Sequence, residues 1–343
     1  MTALSVIIPS LALTERLAAC LDAIAAQRMR PVGVWVVLTT WTSRALVQTR
    51  WPSTRLIRCP SPASFCRAVN TGMARTQTPW ILVLNDDVIM DPDFIERLLG
   101  GIPSDPRIGM VCGKLLSQDG RCLDSTGQFV SRARTAVERG HGSARVDRFS
   151  QPGMVFSVPA AAALYRRTML EAIAVQGRYF DERLGIYLED LDLGWRAQRA
   201  GWRAYYVPDA TARHIRGATA KTRTPQWSWL RRYYLPWLAP ALQVRYVLNR
   251  YRLIARYDTP ASILADLPWI AWYEARLWAY LLVFERYTIR LLRRSLRLAR
   301  VRPRRQAEAA DVRNGWETGG ACAQPAALDQ DDSAPLGRRM SPW

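Results

Sequence analysis

Lysine is almost missing from this 343-residue chain. It occurs only at Lys114 and Lys221, so nearly all of the 48 basic side chains are arginine. Biased coding composition explains that as readily as selection for guanidinium chemistry. Cysteine is sparse. None of the six (Cys20, Cys59, Cys66, Cys112, Cys122 and Cys322) forms a C-x-x-C pair or sits at zinc spacing from a histidine. That excludes the common structural zinc and dithiol motifs and predicts reduced, mostly buried thiols of a cytosolic protein. No apolar run is long enough to span a bilayer, because Glu274 and Arg276 interrupt the best stretch. No basic segment precedes Leu4–Ile8, which already reads as a strand, so a signal peptide is not expected. There is no internal repeat.

A hydrophobic fraction of 49% allows a sizeable core and excludes general disorder. The net charge of +19 is unevenly spread. Residues 225–305 carry 16 arginines against Asp258, Asp266, Glu274 and Glu285, while residues 306–343 are acidic. The same 225–305 stretch holds six of the fourteen tryptophans and eight of the thirteen tyrosines. Three units follow: a first unit over 1–224, a basic, aromatic helical region over 225–305, and a disordered tail over 306–343.

Strand and helix patterns alternate along the first unit. Leu4–Ile8, Val34–Leu38 and Trp80–Leu84 are short apolar runs of the buried parallel kind. Leu17, Cys20, Leu21 and Ile24 repeat at helical spacing, and Ser64–Met73 and Pro92–Leu99 read as helices, the latter capped by Asp91. Residues 115–152 read as a polar, loop-rich insertion. Val155–Val158 and Ala160–Tyr165 suit strands or core. Glu189–Ala200 is helical and ends at Gly201; Trp202–Val207 is a strand ending at Pro208. Ile263, Leu267, Ile270, Leu277, Leu281, Phe284, Leu291 and Leu298 form one helical stripe. The alternation predicts a doubly wound α/β sheet, in which ligands bind beyond the carboxyl ends of the strands.

Acidic residues punctuate this pattern twice. Asn85-Asp86-Asp87 closes the Trp80–Leu84 run, and Glu189-Asp190-Leu191-Asp192 opens a helix about a hundred residues later. His214 follows in Ala212-Arg213-His214-Ile215. Carboxylates at a strand end with one imidazole suit a hard divalent cation holding a phosphate, and a separate carboxylate is left for proton transfer. Each piece has a plainer reading. Asp86-Asp87 could be a turn, and Glu189-Asp190 could complement a helix dipole. His141, in Arg139-Gly140-His141-Gly142, reads as a loop residue.

Taken in order, Ser5-Val6-Ile7-Ile8-Pro9-Ser10, Asn70-Thr71-Gly72, Leu84-Asn85-Asp86-Asp87-Val88, Phe180-Asp181-Glu182 and Glu189-Asp190-Leu191-Asp192-Leu193-Gly194-Trp195-Arg196 resemble the family 2 glycosyltransferases. The branch resembled is that of bacterial rhamnosyltransferases of cell-surface polysaccharides. The resemblance covers roughly residues 3–220. It implies a GT-A fold, the Rossmann-like fold of nucleotide-diphospho-sugar transferases, followed by C-terminal helices. It implies Mn²⁺ or Mg²⁺ as cofactor, bound by Asp86, Asp87 and His214. Pro9, Ser10 and Asn70 join Asp86 and Asp87 around the donor nucleotide. Asp190 matches the general base of a single inverting displacement. Glu189 and Asp192 orient the base or the acceptor, and Trp195 meets the substrate. The partners implied are a nucleotide sugar, with dTDP-rhamnose first, and a glycan or lipid-linked glycan.

Two departures fall on the nucleotide pocket. Leu38-Thr39-Thr40-Trp41 has no acid where many relatives have one, and Ser10-Leu11-Ala12-Leu13 lacks the usual aromatic and asparagine. They motivate an alternative, a catalytically inactive GT-A-like glycan-binding or scaffold protein. The basic C-terminal region has three readings: helices packed on the catalytic unit, a surface for the inner face of an anionic membrane, or, ranked last for want of a motif, nucleic-acid binding.

Overall fold

The computed structural model describes residues 3–40, 49–216 and 235–301. Trp41, Cys322, residues 225–234 and the tail expected over 306–343 lie outside them, as does the side chain of Leu298.

Apolar runs at 4–10, 33–38 and 80–84, with the alternating Thr54–Arg58 segment, form four parallel strands: β1 (Leu4–Ser10), β2 (Gly33–Leu38), β3 (Thr54–Arg58) and β4 (Trp80–Leu84). Their order is β3-β2-β1-β4, so the chain runs outward from β1 to one side and then restarts on the other. Helix α1 (Glu15–Ala25), capped by the Thr14 hydroxyl, covers one face. Helix α2 (Phe65–Met73), capped by Ser64, covers the opposite face. Alternate residues of β1 divide between them. Val6 and Ile8 pack with Leu17, Cys20 and Leu21 of α1, whereas Ile7 packs with Cys66, Val69 and Met73 of α2. Burial on both faces is why β1, β2 and β4 read as continuous apolar runs, whereas β3 at the sheet's edge alternates. Five cysteines are free, four of them buried, as the sparse spacing predicted.

Beyond β4 the sheet becomes mixed. After β5 (Val88–Met90) and α3 (Phe94–Gly100) come β6 (Ile108–Ser117), β7 (Leu123–Ser125), β8 (Gln128–Val130), β9 (Ala136–Glu138), β10 (Gly153–Val155) and β11 (Ala162–Arg166). A short α4 (Arg167–Ala172), α5 (Glu189–Arg199) and β12 (Arg203–His214) complete the sheet. β11 inserts antiparallel between β4 and β6, and β12 lies parallel to β6.

Several expectations need correction. Helix α3 starts at Phe94 behind Asp93, two residues later than the predicted Asp91 cap; the Asp91 carbonyl instead accepts the Phe94 amide. Residues 115–152 contain β7, β8 and β9 rather than loop alone. Pro208 does not end its strand. β12 runs on to His214 because the register to β6 shifts between Tyr206 and Thr211, and a proline at such an irregularity need not donate to the ladder. That extension carries His214 to the level of Val88 on β5.

The C-terminal part is helical: a 3₁₀ turn at Leu235–Trp237, then α6 (Pro240–Tyr257), α7 (Pro260–Ala265), α8 (Leu267–Phe284) and α9 (Arg286–Val301). The single predicted stripe is therefore divided among three helices, with breaks at Asp266 and Glu285. Leu277 and Leu281 are buried, whereas Leu267 and Phe284 are exposed. Val244, Val247, Leu253 and Tyr257 share one core cluster with Leu184, Leu188 and Leu191 around α5.

Candidate active site

A cavity of about 290 Å³ opens above the carboxyl ends of β1 and β4, where the strand order changes direction. This is where an open α/β sheet leaves a crevice between diverging connections. Pro9 and Ser10 from β1, Asn85, Asp86 and Asp87 after β4, Glu189 and Asp190 at the start of α5, and His214 at the end of β12 all line it.

One wall carries the Asp86–Asp87 pair. The Ser10 hydroxyl lies 2.5 Å from Asp86 Oδ2 and 2.9 Å from the Ala12 carbonyl, within hydrogen-bond reach of both, tying the β1 turn to the acidic turn. Burial, reinforced by neighbouring Asp87, pushes the Asp86 carboxyl above its ordinary value in spite of the Ser10 bond. Asp87 is buried, and its Oδ1 lies 3.3 Å from His214 Nε2. The other imidazole nitrogen, Nδ1, lies 2.8 Å from Asp124 Oδ2. Burial pulls the imidazole down, but Asp124 and Asp87 outweigh it and hold His214 up to about 9. Arg216 pairs with Asp124 at 2.5 Å. Despite burial, Arg216, His141 and His214 together hold the Asp124 carboxyl far below the usual range.

The start of α5 brings Glu189 and Asp190 to the same cavity. They follow two consecutive bulky residues in left-handed conformation, Tyr187 (φ 71°) and Leu188 (φ 64°). Such backbone persists only where surroundings enforce it. Here Asn249 of α6 enforces it: its side-chain amide donates to the carbonyls of Leu184, Ile186 and Tyr187 at 2.9, 3.0 and 2.8 Å. Gly194 lets α5 close onto Ser157, whose side chain a Cβ would strike; the Ser157 hydroxyl donates to the Asp190 carbonyl. The Asp190 carboxylate accepts from Gln128 Nε2 (2.8 Å), the Ala160 amide (3.3 Å) and its neighbour's amide at Leu191 (2.8 Å). Burial still raises its pKa. Glu189 is buried more severely, and its Oε2 has no hydrogen-bond partner among the described residues. Burial and adjacent Asp190 push it well above 4.5. Two neighbouring buried carboxyls disfavour each other's charge, and Asp190 is the one supplied with hydrogen-bond donors.

The structure thus gathers Pro9, Ser10, Asp86, Asp87, Glu189, Asp190 and His214 around one cavity. It places the other three candidates elsewhere. Asn70 clasps the Phe180 backbone, donating to its carbonyl at 2.8 Å and accepting from its amide at 2.9 Å. Asp192 is fully buried between Arg196, Arg256 and the Tyr257 hydroxyl. Trp195 stacks on Tyr257 with ring centroids 4.9 Å apart. The helix explains this, since residues two apart on α5 point to nearly opposite sides. His141 contacts the Asp124 main chain and does not line the cavity. Sequence reasoning missed Asp124, Gln128, Glu138 and Arg216. The first three lie in the polar insertion, where no periodicity marks a residue as inward-facing. Gln128 Nε2 also donates to Glu138 at 2.8 Å, so one amide joins two partly buried carboxyls.

Among the described residues, no three His, Cys, Asp or Glu side chains form a ready metal cage. Asp87 and His214 nevertheless suit a cation that arrives with its own oxygen ligands. The imidazole is oriented by Asp124 in the way outer-shell carboxylates orient ligating histidines.

The family model for "Glycosyltransferase like family 2" matches residues 2–232. The chain belongs to that family. It is a family 2 glycosyltransferase, and the family's reaction class is glycosyl transfer from a nucleotide sugar. It is 29% identical over 212 residues to the N-acetylglucosaminyl-diphospho-decaprenol L-rhamnosyltransferases of Mycobacterium tuberculosis strains CDC 1551 / Oshkosh and H37Rv. Each match covers 54% of this chain and 67% of the relative. Among solved structures, GalNAc-T7 with UDP, GalNAc and Mn²⁺ superposes with a TM-score of 0.52 at 11% identity, covering 66% of this chain and 46% of that one. This chain therefore spans less than half of that protein. The likeness establishes the GT-A fold that the ordered motifs predicted.

Proposed function

We propose that this family 2 glycosyltransferase moves rhamnose, with inversion, from dTDP-rhamnose to a hydroxyl of a glycan or lipid-linked glycan, using a divalent cation. The observation that carries this reading is that Asp86, Asp87 and His214 line the same cavity as Asp190. The Mycobacterium tuberculosis relatives pair rhamnose with a decaprenol-linked acceptor in their names, which supports that sugar and acceptor class. The Mn²⁺ in the GalNAc-T7 structure supports the use of a divalent cation.

In this reading Asp87 and His214 hold the cation, with Asp86 beside them. Bound there, Mn²⁺ or Mg²⁺ supplies charge neutralisation for the departing nucleoside diphosphate. Ser10 keeps Asp86 turned into the site, and the turn at Pro9-Ser10 borders the nucleotide. Asp190, aligned by Gln128 and two backbone amides, accepts the proton of the acceptor hydroxyl as that oxygen attacks the anomeric carbon. Protonated Glu189 leaves Asp190 as the only charged member of the pair.

Replacing Asp190 tests the assignment. Asp190→Asn keeps the shape of the site and removes the base, so transfer should fall by about 10³-fold. The thermal shift induced by nucleoside diphosphate with Mn²⁺ should persist in that variant and vanish in Asp87→Asn. Near-normal turnover by Asp190→Asn would sink the proposal, as would full activity in excess chelator.

A further inference from the structure

Thirteen large hydrophobic side chains are exposed among the described residues, and nine of them lie between residues 264 and 296. Their core is α8. Its 18 residues contain only two charged side chains, Glu274 and Arg276. Glu274 is turned inward to Arg250 and the Tyr251 hydroxyl. Tyr273, Leu277, Tyr280 and Leu281 pack inward. The outer face is as apolar as the inner one: Trp272 is 66% exposed and Val283 63%, with Leu267, Trp269 and Leu282 also in solvent. Arg276, stacked over Trp272, is the charge on that side. A helix that is apolar all round normally has both faces covered, and among the described residues this one has a single face packed.

The next helix says what covers the other. Residues 286–301 hold six arginines and no acidic residue. Arg286, Arg290, Arg293 and Arg297 follow the i, i+4, i+7, i+11 spacing of one stripe and are exposed, while Ile289 and Leu292 face the protein. No acidic side chain among the described residues pairs with these four. The nearby acids are engaged inward: Asp258 and Asp266 with Arg134, and Glu285 with the Tyr280 hydroxyl. An uncompensated arginine ridge beside exposed indoles and aliphatics matches anionic headgroups over an acyl boundary. No helix among the described residues is long and apolar enough to cross a membrane, so the arrangement suits lying on a bilayer.

We propose that α8 and α9 form a docking face for the surface of a bilayer rich in anionic phospholipid. The inference does not depend on donor, acceptor or catalysis. Flotation of the full chain with phosphatidylcholine vesicles, with and without phosphatidylglycerol, tests it. Phosphatidylglycerol should raise the floated fraction at least about tenfold, and high salt should reverse part of that gain. Trp272→Glu with Val283→Glu should abolish flotation, and Arg290→Gln with Arg293→Gln and Arg297→Gln should remove the preference for anionic lipid. All these positions are exposed, so the melting temperature and the nucleotide-induced thermal shift should stay as in the parent. Flotation that ignores phosphatidylglycerol, or is unchanged in the variants, overturns the proposal. So does a dimer that Trp272→Glu with Val283→Glu converts to monomer without any vesicle binding, because a second copy then covers the face.

Discussion

Glu189 and Asp190 are adjacent, yet the fold treats them oppositely. Asp190 receives three hydrogen bonds, whereas Glu189 Oε2 is buried with none among the described residues. A carboxyl whose folded pKa is raised binds its proton more tightly than the unfolded chain does. Its stability contribution is therefore greatest at low pH, and stability is lost as pH climbs from about 4.5 towards the raised folded value. Glu189→Gln stays neutral throughout. It should raise the melting temperature at neutral pH, by a margin that grows as pH climbs above about 4.5, at up to about 1.4 kcal/mol per pH unit. Calorimetry across that range checks it; a gain independent of pH would show that Glu189 is ionised in the fold. Proton removal by Asp190 has the complementary signature. Transfer should rise with pH along an acid limb set above the ordinary 3.8, because only the carboxylate accepts the proton. At this scale the acids that punctuate apolar runs were legible in the sequence. Asp124, Gln128 and Glu138 were not, since a polar residue in a polar stretch carries no sign of which way it faces.

Helix α6 is the element whose role the sequence concealed. It lies more than forty residues beyond the start of α5, yet it braces the turn that launches Asp190. Asn249 caps the carbonyls of Leu184, Ile186 and Tyr187, while Arg256 and Tyr257 grip Asp192. Asn249→Ala should leave buried carbonyls unpaired and cost about 3 kcal/mol of stability. The left-handed turn at Tyr187-Leu188 should relax, so kcat should drop at least about tenfold. The thermal shift with nucleoside diphosphate and Mn²⁺ should survive, because the Asp86–Asp87 wall belongs to β4. A destabilised variant with normal kcat would reduce Asn249 to a purely structural clamp. The pattern did reveal helices here, but their breaks at Asp266 and Glu285 depend on how α7, α8 and α9 fold back on α6. The strand at 203–214 teaches the same point. Pro208 reads locally as a terminator, and only the shifted pairing with β6 lets the strand continue to His214.

Across the whole molecule, the family-matched residues 2–232 and the C-terminal helices share one hydrophobic cluster. Leu184, Leu188 and Leu191 on one side meet Val244, Val247 and Leu253 on the other. A chain ending at residue 232 would expose that surface and lose the Asn249 clamp. It should express without a cooperative thermal transition and without transfer activity; a soluble fragment with native turnover would refute this account of the helices.

The sequence by itself determined the strand–helix alternation, the buried parallel strands and the acidic residues at the carboxyl end of β4 and the start of α5. These are local matters of periodicity, capping and the cost of burying charge. The tertiary structure decided which of those acids meet. Helical geometry turns Asp190 into the cavity and Asp192 away from it, and an irregular β12 delivers His214 to Asp87. The distant α6 braces the turn that leads into Asp190, because side-chain direction and long-range pairing are properties of the packed chain and of no segment alone.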